Sequence, residues 1–216
     1  MRERWVSFDC FGTLVDWHTG FRHILERAGA RHAREIEAAF HRWEPQVEAG
    51  EYRTYREVTR LALERALIDV ANESEVSATA IADGWESLPV FTDAPPALRR
   101  LHEEGWSLAV LTNCDVDLFA QTAPALGVAI DRVVTAEDVR SYKPALRHFH
   151  RFRETIGDVP WVHVACSWFH DIAPARAVGI PRIWVDRDRT GDDPSIATRV
   201  IPNLESLVTI LRMVMR

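Results

Sequence analysis

An apolar run of strand length that ends in a carboxylate constrains this chain more than any other stretch. Trp5-Val6-Ser7-Phe8 leads into Asp9, and Gly12-Thr13 follows within four residues. Such a run reads as a buried strand, and the glycine marks the turn that leaves it. The strand therefore delivers an acid to its own tip. In open α/β sheets ligands bind beyond the carboxyl ends of the strands, so an aspartate placed there is a candidate for chemistry.

Residues from about 17 to 91 lose strand character. Phe21, Ile24, Leu25 and Ala28 recur at helical spacing, as do Ile36, Ala39, Phe40 and Trp43, and then Val58, Leu61 and Ala62. Some 70 residues of helix exceed what a crossover between strands needs, so this block is expected to be a small inserted domain. Leu88-Pro89-Val90-Phe91 is expected to return the chain to the sheet.

From there strands and helices alternate. A helix around Ala97 to Glu104 stops at Gly105, and strands are expected at Trp106 to Thr112, Arg132 to Thr135, Trp161 to Cys166 and Arg182 to Val185. Helices fill the intervals, near Leu118 to Leu126, near Leu146 to Ile156 and from Asp171. The last helix carries Leu204, Leu207, Val208 and Leu211 on one stripe, and Asp186 to Ser195 reads as a polar surface loop. The alternation implies an α/β fold, a parallel sheet with helices on both faces. Residues 1–16 and 92–216 would form the core, and 17–91 the insertion.

Composition narrows the partners. A net charge of -6, with basic residues scattered among acids as in Arg31 to Glu37, leaves no clustered basic surface for nucleic acid. No apolar run nears the roughly 18 residues of a membrane span, and the charges at Arg2, Glu3 and Arg4 precede no long apolar region, so a cytoplasmic protein is expected. Cys10, Cys114 and Cys166 are odd in number and lack metal-ligand spacing. They read as small residues buried at tight turns.

Three later strand tips carry polar residues. Thr112-Asn113 ends one strand, Ser141-Tyr142-Lys143-Pro144 follows the next, and Cys166-Ser167 with His170-Asp171 ends another. Each has an ordinary reading: Thr112 and Asn113 as turn formers, Lys143 as a surface lysine, Asp171 as a cap for the helix continuing through Pro174. In a parallel sheet, however, Asp9, Thr112 and Asp171 share one edge and Lys143 can reach it. A carboxylate, hydroxyl and amide groups and a lysine then converge on one cleft.

The set Asp9-Cys10-Phe11-Gly12-Thr13-Leu14-Val15-Asp16, Leu111-Thr112-Asn113, Tyr142-Lys143-Pro144 and His170-Asp171, with Ala175 and Gly179 beyond, resembles the haloacid dehalogenase superfamily in content and order. The resemblance implies a Rossmann-like core, a helical cap in the insertion after the first strand, and a covalent nucleophile at Asp9. Most members are magnesium-dependent phosphohydrolases with a second aspartate two residues after the nucleophile. This chain has Phe11 there, and Cys166 where the phosphatase pattern has an acid that helps hold magnesium. Losing a positioned proton donor typically costs 10² to 10⁴ in rate, roughly 3 to 5 kcal/mol. A halide leaves carbon without a proton, and the 2-haloacid dehalogenase branch has an aromatic residue at the position of Phe11.

The resemblance thus implies hydrolysis of short 2-haloacids through an Asp9 ester, with no metal or other cofactor and a small-molecule carboxylate as partner. Lys143 would hold Asp9, Thr13 would support it, and Asp171 would position water or hold Lys143. Thr112 and Asn113 would bind the substrate carboxylate, with Ser167 assisting and His170 as a candidate base. The family's halide-gripping arginine has its nearest candidate in Arg42, whose ordinary reading is an exposed helix face. Trp43, Trp168 and Phe169 would line an apolar halide pocket or pack the core. The chain departs from the branch in having Trp168 for a common asparagine and Phe149 for a common tyrosine. A second reading is a phosphatase that recruits Mg2+ through Asp9, a backbone carbonyl near Phe11, and Asp171. A third is a binding protein that has kept the fold and lost the chemistry. Nothing in the sequence excludes a homodimer.

Overall fold

The computed structural model describes residues 4–70 and 75–214. Arg2 and Glu3, counted above among the N-terminal charges, lie outside them. The opening run forms strand β1 (Trp5–Phe8), buried along its whole length. It is flanked in parallel by β2 (Ser107–Thr112) and β4 (Trp161–Ala165), with Phe8 opposite both Val110 and Val164. With β3 (Arg132–Thr135), β5 (Arg182–Val185) and β6 (Arg199–Ile201), the six parallel strands run in the order β3-β2-β1-β4-β5-β6. The chain winds outward from β1 in both directions, so Asp9 sits at the switch point where a doubly wound sheet opens a crevice.

Alternation along the strands feeds two cores. Val6, Phe8, Leu108, Val110, Val162, Val164, Ile183 and Val185 face one side, together with Leu98 and Leu101 of α5 (Ala94–Glu103) and Leu207 and Leu211 of α10 (Leu207–Val214). Trp5, Ala109, Leu111 and Trp161 face the other, against Phe149 and Phe152 of α8 (Arg147–Ile156), which follows the short helices α6 (Val116–Thr122) and α7 (Ala136–Val139), and Ala175 of α9 (Ala173–Ala177). Each such aromatic or branched side chain contributes about 1.5–3 kcal/mol by leaving water. On this second face Ser7 and His163 are also fully buried, a polar pair inside an apolar layer. Strand β6 escaped the sequence reading. It is three residues long and exposes Arg199 and Val200, so its pairing with β5, and not its own pattern, makes it a strand.

The inserted helical cap lies between β1 and α5 and contains α1 (Trp17–Arg27), α2 (Ala33–Glu48), α3 (Tyr55–Asp69) and α4 (Ala80–Asp83). Asp16 caps α1 by accepting from the Thr19 N–H, and Thr54 caps α3 through Glu57 N–H. The segment expected to re-enter the sheet does otherwise. Val90 bridges Val15 in antiparallel fashion, with Asp16 N–H donating to Pro89 O (2.8 Å) and Phe91 N–H to Leu14 O (2.9 Å). The outgoing and returning chains are thus stitched side by side at the foot of the cap.

Candidate active site

Lys143 is the hub of the site. It is almost wholly buried, and its ammonium donates to Asp9 Oδ1 at 2.9 Å, Asp171 Oδ1 at 2.7 Å and the Leu111 carbonyl at 2.9 Å. Three donors meet three acceptors, so the buried charge is fully satisfied. Burial alone would strip its proton, but the Asp171 and Asp9 carboxylates outweigh that and push its pKa up. Asp171 is held down at about 2: burial opposes ionisation, and Lys143 and His163 overcome it. Asp9 is raised, by burial first and by the Asp171 charge, against the pull of Lys143 and Thr13.

The other Asp9 oxygen is held as firmly. Thr13 donates its hydroxyl to Oδ2 at 2.7 Å and accepts the Cys166 N–H at 2.9 Å, which fixes the direction of its proton. The loop that allows this turns at Gly12, whose φ of +89° suits glycine, and where a Cβ would come within 2.8 Å of Cys166 Sγ. Behind the carboxylates runs a buried relay. Trp161 Nε1–H donates to Ser7 Oγ (2.6 Å), Ser7 donates to His163 Nδ1 (2.7 Å), and His163 Nε2–H donates to Asp171 Oδ1 (3.0 Å). The indole can only donate and the Asp171 carboxylate only accept, so the chain runs one way, from Trp161 through Ser7 and His163 to Asp171. Asp171 Oδ2 is left buried with no partner among the described residues.

Asn113 is occupied with the Lys143 loop: its amide donates to Lys143 O (3.1 Å) and its carbonyl accepts Lys143 N–H (2.7 Å). Thr112 is buried, its hydroxyl 3.6 Å from Cys114 Sγ and its carbonyl accepting from His148 Nε2 at 3.2 Å. Ser167 Oγ accepts the His170 N–H at 3.0 Å and shares a second hydrogen bond with His170 Nδ1, also at 3.0 Å. It caps a single π-helical turn, Trp168–Ile172, that carries Asp171 inward. Asp171 is therefore inside that turn, where the sequence suggested a helix cap.

These groups open into a cavity of about 300 Å³ lined by Asp9, Phe11, Thr112, Asn113, Lys143 and Asp171, with further residues of both core and cap. Phe11 forms part of an aromatic wall, 4.8 Å from the Trp85 ring and 5.8 Å from Trp17. A family model described as a haloacid dehalogenase-like hydrolase matches residues 3–178. The chain belongs to the haloacid dehalogenase-like hydrolases. An (S)-2-haloacid dehalogenase of Pseudomonas sp. (strain YL) is 25% identical over 84% of this chain and 82% of its own length. A solved dehalogenase with intermediate complex superposes at a TM-score of 0.86, with 20% identity over 97% of each chain. The L-2-haloacid dehalogenase of Xanthobacter autotrophicus with chloropropionic acid covalently bound superposes at 0.81, with 21% identity over 97% of this chain and 98% of that one.

Within this hydrolase framework the donor set at Asp9 does not suit the magnesium of the family's phosphatases. A hard cation seeks an octahedron of oxygens. Cys166 offers sulfur instead, with its thiol kept protonated by burial and the nearby Asp9 charge, and the Lys143 ammonium already bridges Asp9 and Asp171.

The cap wall corrects several expectations. Arg42 is exposed, donating to Ala38 O and lying 3.9 Å from Asp69, away from the cavity; helix geometry turns it about 100° from its neighbour His41, which does line it. Trp168 donates to Asp193 O and packs near Trp184 and Ile196, and Trp43 donates to Asp69, so neither lines the cavity. Phe169 is 60% exposed and lies outside it as well. Among the described residues no arginine lines the cavity. The cap contributes Trp17, His18, His41, Glu44, Glu48 and Tyr55, none of which the sequence reading selected. Their signal was present: Glu37, His41, Glu44 and Glu48 fall at i, i+4, i+7 and i+11, one stripe of α2.

Tyr55 donates its hydroxyl to Glu44 Oε1, and Glu44 Oε2 accepts from His41 Nδ1 at 3.4 Å. Burial works against a proton on His41, and the Glu37 and Glu44 carboxylates more than offset it, raising its pKa to about 9. Glu48 has no hydrogen bond among the described residues, and burial, with Glu44 nearby, raises it to about 9, so it is neutral at pH 7.

Proposed function

We propose that this hydrolase cleaves the carbon–halogen bond of short 2-haloacids through an ester on Asp9. A carboxylate oxygen of Asp9 attacks C2 from the side opposite the halogen; a C–O bond forms, the C–X bond breaks, and halide departs with the bonding electrons. Water then attacks the Asp9 carbonyl carbon, releasing the 2-hydroxy acid and regenerating Asp9. Asp171 Oδ2, buried without a partner among the described residues, is the free acceptor for that water; it takes the water's proton and returns it to the departing 2-hydroxy oxygen as the tetrahedral intermediate collapses. Lys143 and Thr13 hold Asp9 in line and lower the charge cost of its burial. The cap, residues 17–91, would close over the pocket, and Thr112, Asn113, Ser167 and His170 would line the substrate's carboxylate end. Neither chemical step draws on a metal ion or another cofactor.

Phe11 is the observation that carries this reading. Its ring packs against Trp17 and Trp85 where a phosphatase needs a proton donor, and an apolar aromatic wall suits a halogen that leaves unprotonated. The named relatives, which act on 2-haloacids, support the same substrate class.

The test is halide release from chloroacetate, 2-chloropropionate or fluoroacetate at saturating concentration in EDTA, beside a panel of phosphoesters with magnesium. Halide is expected in EDTA, and none from Asp9→Asn. In heavy-oxygen water a single turnover should place label in the Asp9 carboxylate. Magnesium-dependent phosphate release without halide would overturn the proposal.

A further inference from the structure

The cap side of the pocket holds a cluster that the chemistry at Asp9 leaves unused. His18 on α1 and Glu37 and His41 on α2 bring two imidazole nitrogens and a carboxylate oxygen to within 4.8 Å of one another. His18 Nδ1 is 2.6 Å from Glu37 Oε1, and His41 Nε2 is 3.9 Å from the same oxygen. The two α2 residues are i and i+4, stacked on one face of the helix, and the His18 and His41 rings meet edge to face at 5.4 Å. We propose that His18, Glu37 and His41 form a binding site for a borderline divalent transition ion, with zinc the best match.

Three features distinguish the cluster from an ordinary surface ion pair. His41 Nε2 is buried and has no hydrogen-bond partner among the described residues, while Nδ1 faces Glu44, which is itself held by Tyr55. That is the carboxylate–histidine arrangement that orients a metal ligand: Nδ1 stays on Glu44, and an arriving ion displaces the proton of Nε2. The remaining oxygen of Glu37 lies 3.0 Å from Arg22 Nε, which orients the carboxylate from behind. Finally, two histidines and one glutamate are the donor set of open zinc sites. Tetrahedral zinc with bonds near 2.0–2.1 Å separates its donors by about 3.3 Å, so each of the two measured separations needs to change by less than about 1 Å.

Three protein ligands leave a position for water or for an oxygen of a bound molecule, and His18 and His41 line the cavity that holds Asp9. An ion there brings positive charge to a pocket whose only lysine is saturated by Asp9 and Asp171. Water is the natural fourth ligand, so the site stands apart from the proposed chemistry at Asp9.

Chelator-stripped full-length protein should be titrated with zinc chloride by calorimetry and with cobalt chloride in a spectrophotometer. One ion per chain is expected, with a dissociation constant of about 1 µM or tighter and visible cobalt bands of low coordination number. His18→Ala, an exposed position that spares the fold, and His41→Ala should each weaken binding at least about tenfold. Asp9→Asn should bind zinc like the parent protein. Absence of binding, or binding that survives His18→Ala, would leave only an Arg22–Glu37–histidine ion-pair network and overturn the site. Halide release without zinc binding would sink the site alone; zinc binding without halide release would sink the proposed activity alone.

Discussion

On the core side of the pocket Asp9, Thr13, Lys143, Asn113 and His163 are each fixed by at least two hydrogen bonds, whereas on the cap side, among the described residues, the Glu48 side chain has none and one His41 nitrogen has no partner. The core groups stand within strands, at their tips or on loops stitched to them, at positions the sheet register dictates. The cap groups stand on one stripe of a helix and face open space. Pre-organised donors and acceptors are what a nucleophile needs, because they cost no rearrangement when charge moves. Groups with spare bonding capacity are what recognition of a ligand needs. The two walls divide the labour of the site, and changes to each should fail differently.

The largest effects belong to the core wall. Asp9→Asn should lower halide release by at least about 10⁴-fold while the protein stays folded, since the nucleophile is removed and the side-chain volume kept. Lys143→Met should lose activity and also about 3–5 kcal/mol of stability, because it strands two buried carboxylates without their cation. Urea denaturation of both proteins checks the contrast. A Lys143→Met protein as stable as its parent would show that the carboxylates are not held by that charge.

The back of the core wall should be sensitive to acid. His148 is fully buried beside Lys143, and burial first and that charge second lower its pKa to about 3. In the unfolded chain it takes up a proton near pH 6.5, so between pH 6.5 and 4.5 the unfolded state binds more protons and stability falls as pH falls. The slope is about 1.4 kcal/mol per unit, or about 2–3 kcal/mol over that window. Denaturation midpoints measured from pH 7 to 4.5 should show this decline, and His148→Gln should flatten it.

The relay below Asp171 comes next. His163→Leu leaves the Ser7 hydroxyl without its acceptor and removes one of two donors from Asp171 Oδ1, a loss of about 1–3 kcal/mol. Activity should fall about tenfold in kcal-equivalent terms of roughly 1.4 kcal/mol, with KM little changed, because the residue orients Asp171 without touching substrate. His163→Gln, which keeps a donor, should recover part of the rate. A raised KM with unchanged kcat would assign His163 to binding instead.

The difference between the walls also explains what the sequence revealed. Asp9, Lys143 and Asp171 were legible because an acid at the end of an apolar run is placed by the strand itself, and a parallel sheet gathers such ends at one edge. The spacing of Phe21, Ile24 and Leu25 likewise disclosed the helices of the cap. Which side of α2 looked into the pocket was not legible, because choosing between His41 and Arg42 needs the phase of the helix against a second body. Family likeness favoured the arginine, and the helix presents the histidine. Asn113 and Thr112 were located correctly at a strand tip, yet the bonding of Asn113 to Lys143 depends on a loop 30 residues away. His163 gave no signal, since a histidine inside an apolar strand becomes intelligible only when Ser7 and Asp171 are seen on either side of it.

The smallest expected effect tests the cap wall. Glu48 is neutral at pH 7, and its pKa of about 9 reflects burial first and then the Glu44 charge. Ionisation above pH 9 adds a negative charge to the pocket, which should weaken an anionic haloacid. His41, also raised to about 9, loses its proton across the same range in the parent protein and in Glu48→Gln alike. Only the difference between their KM profiles therefore reports Glu48. The two proteins should agree within about twofold at pH 7 and separate by about threefold at pH 10, the variant binding more tightly, as expected for roughly 0.7 kcal/mol of screened repulsion. Added salt should shrink that gap. Parallel profiles up to pH 10 would mean that Glu48 does not sense the bound anion.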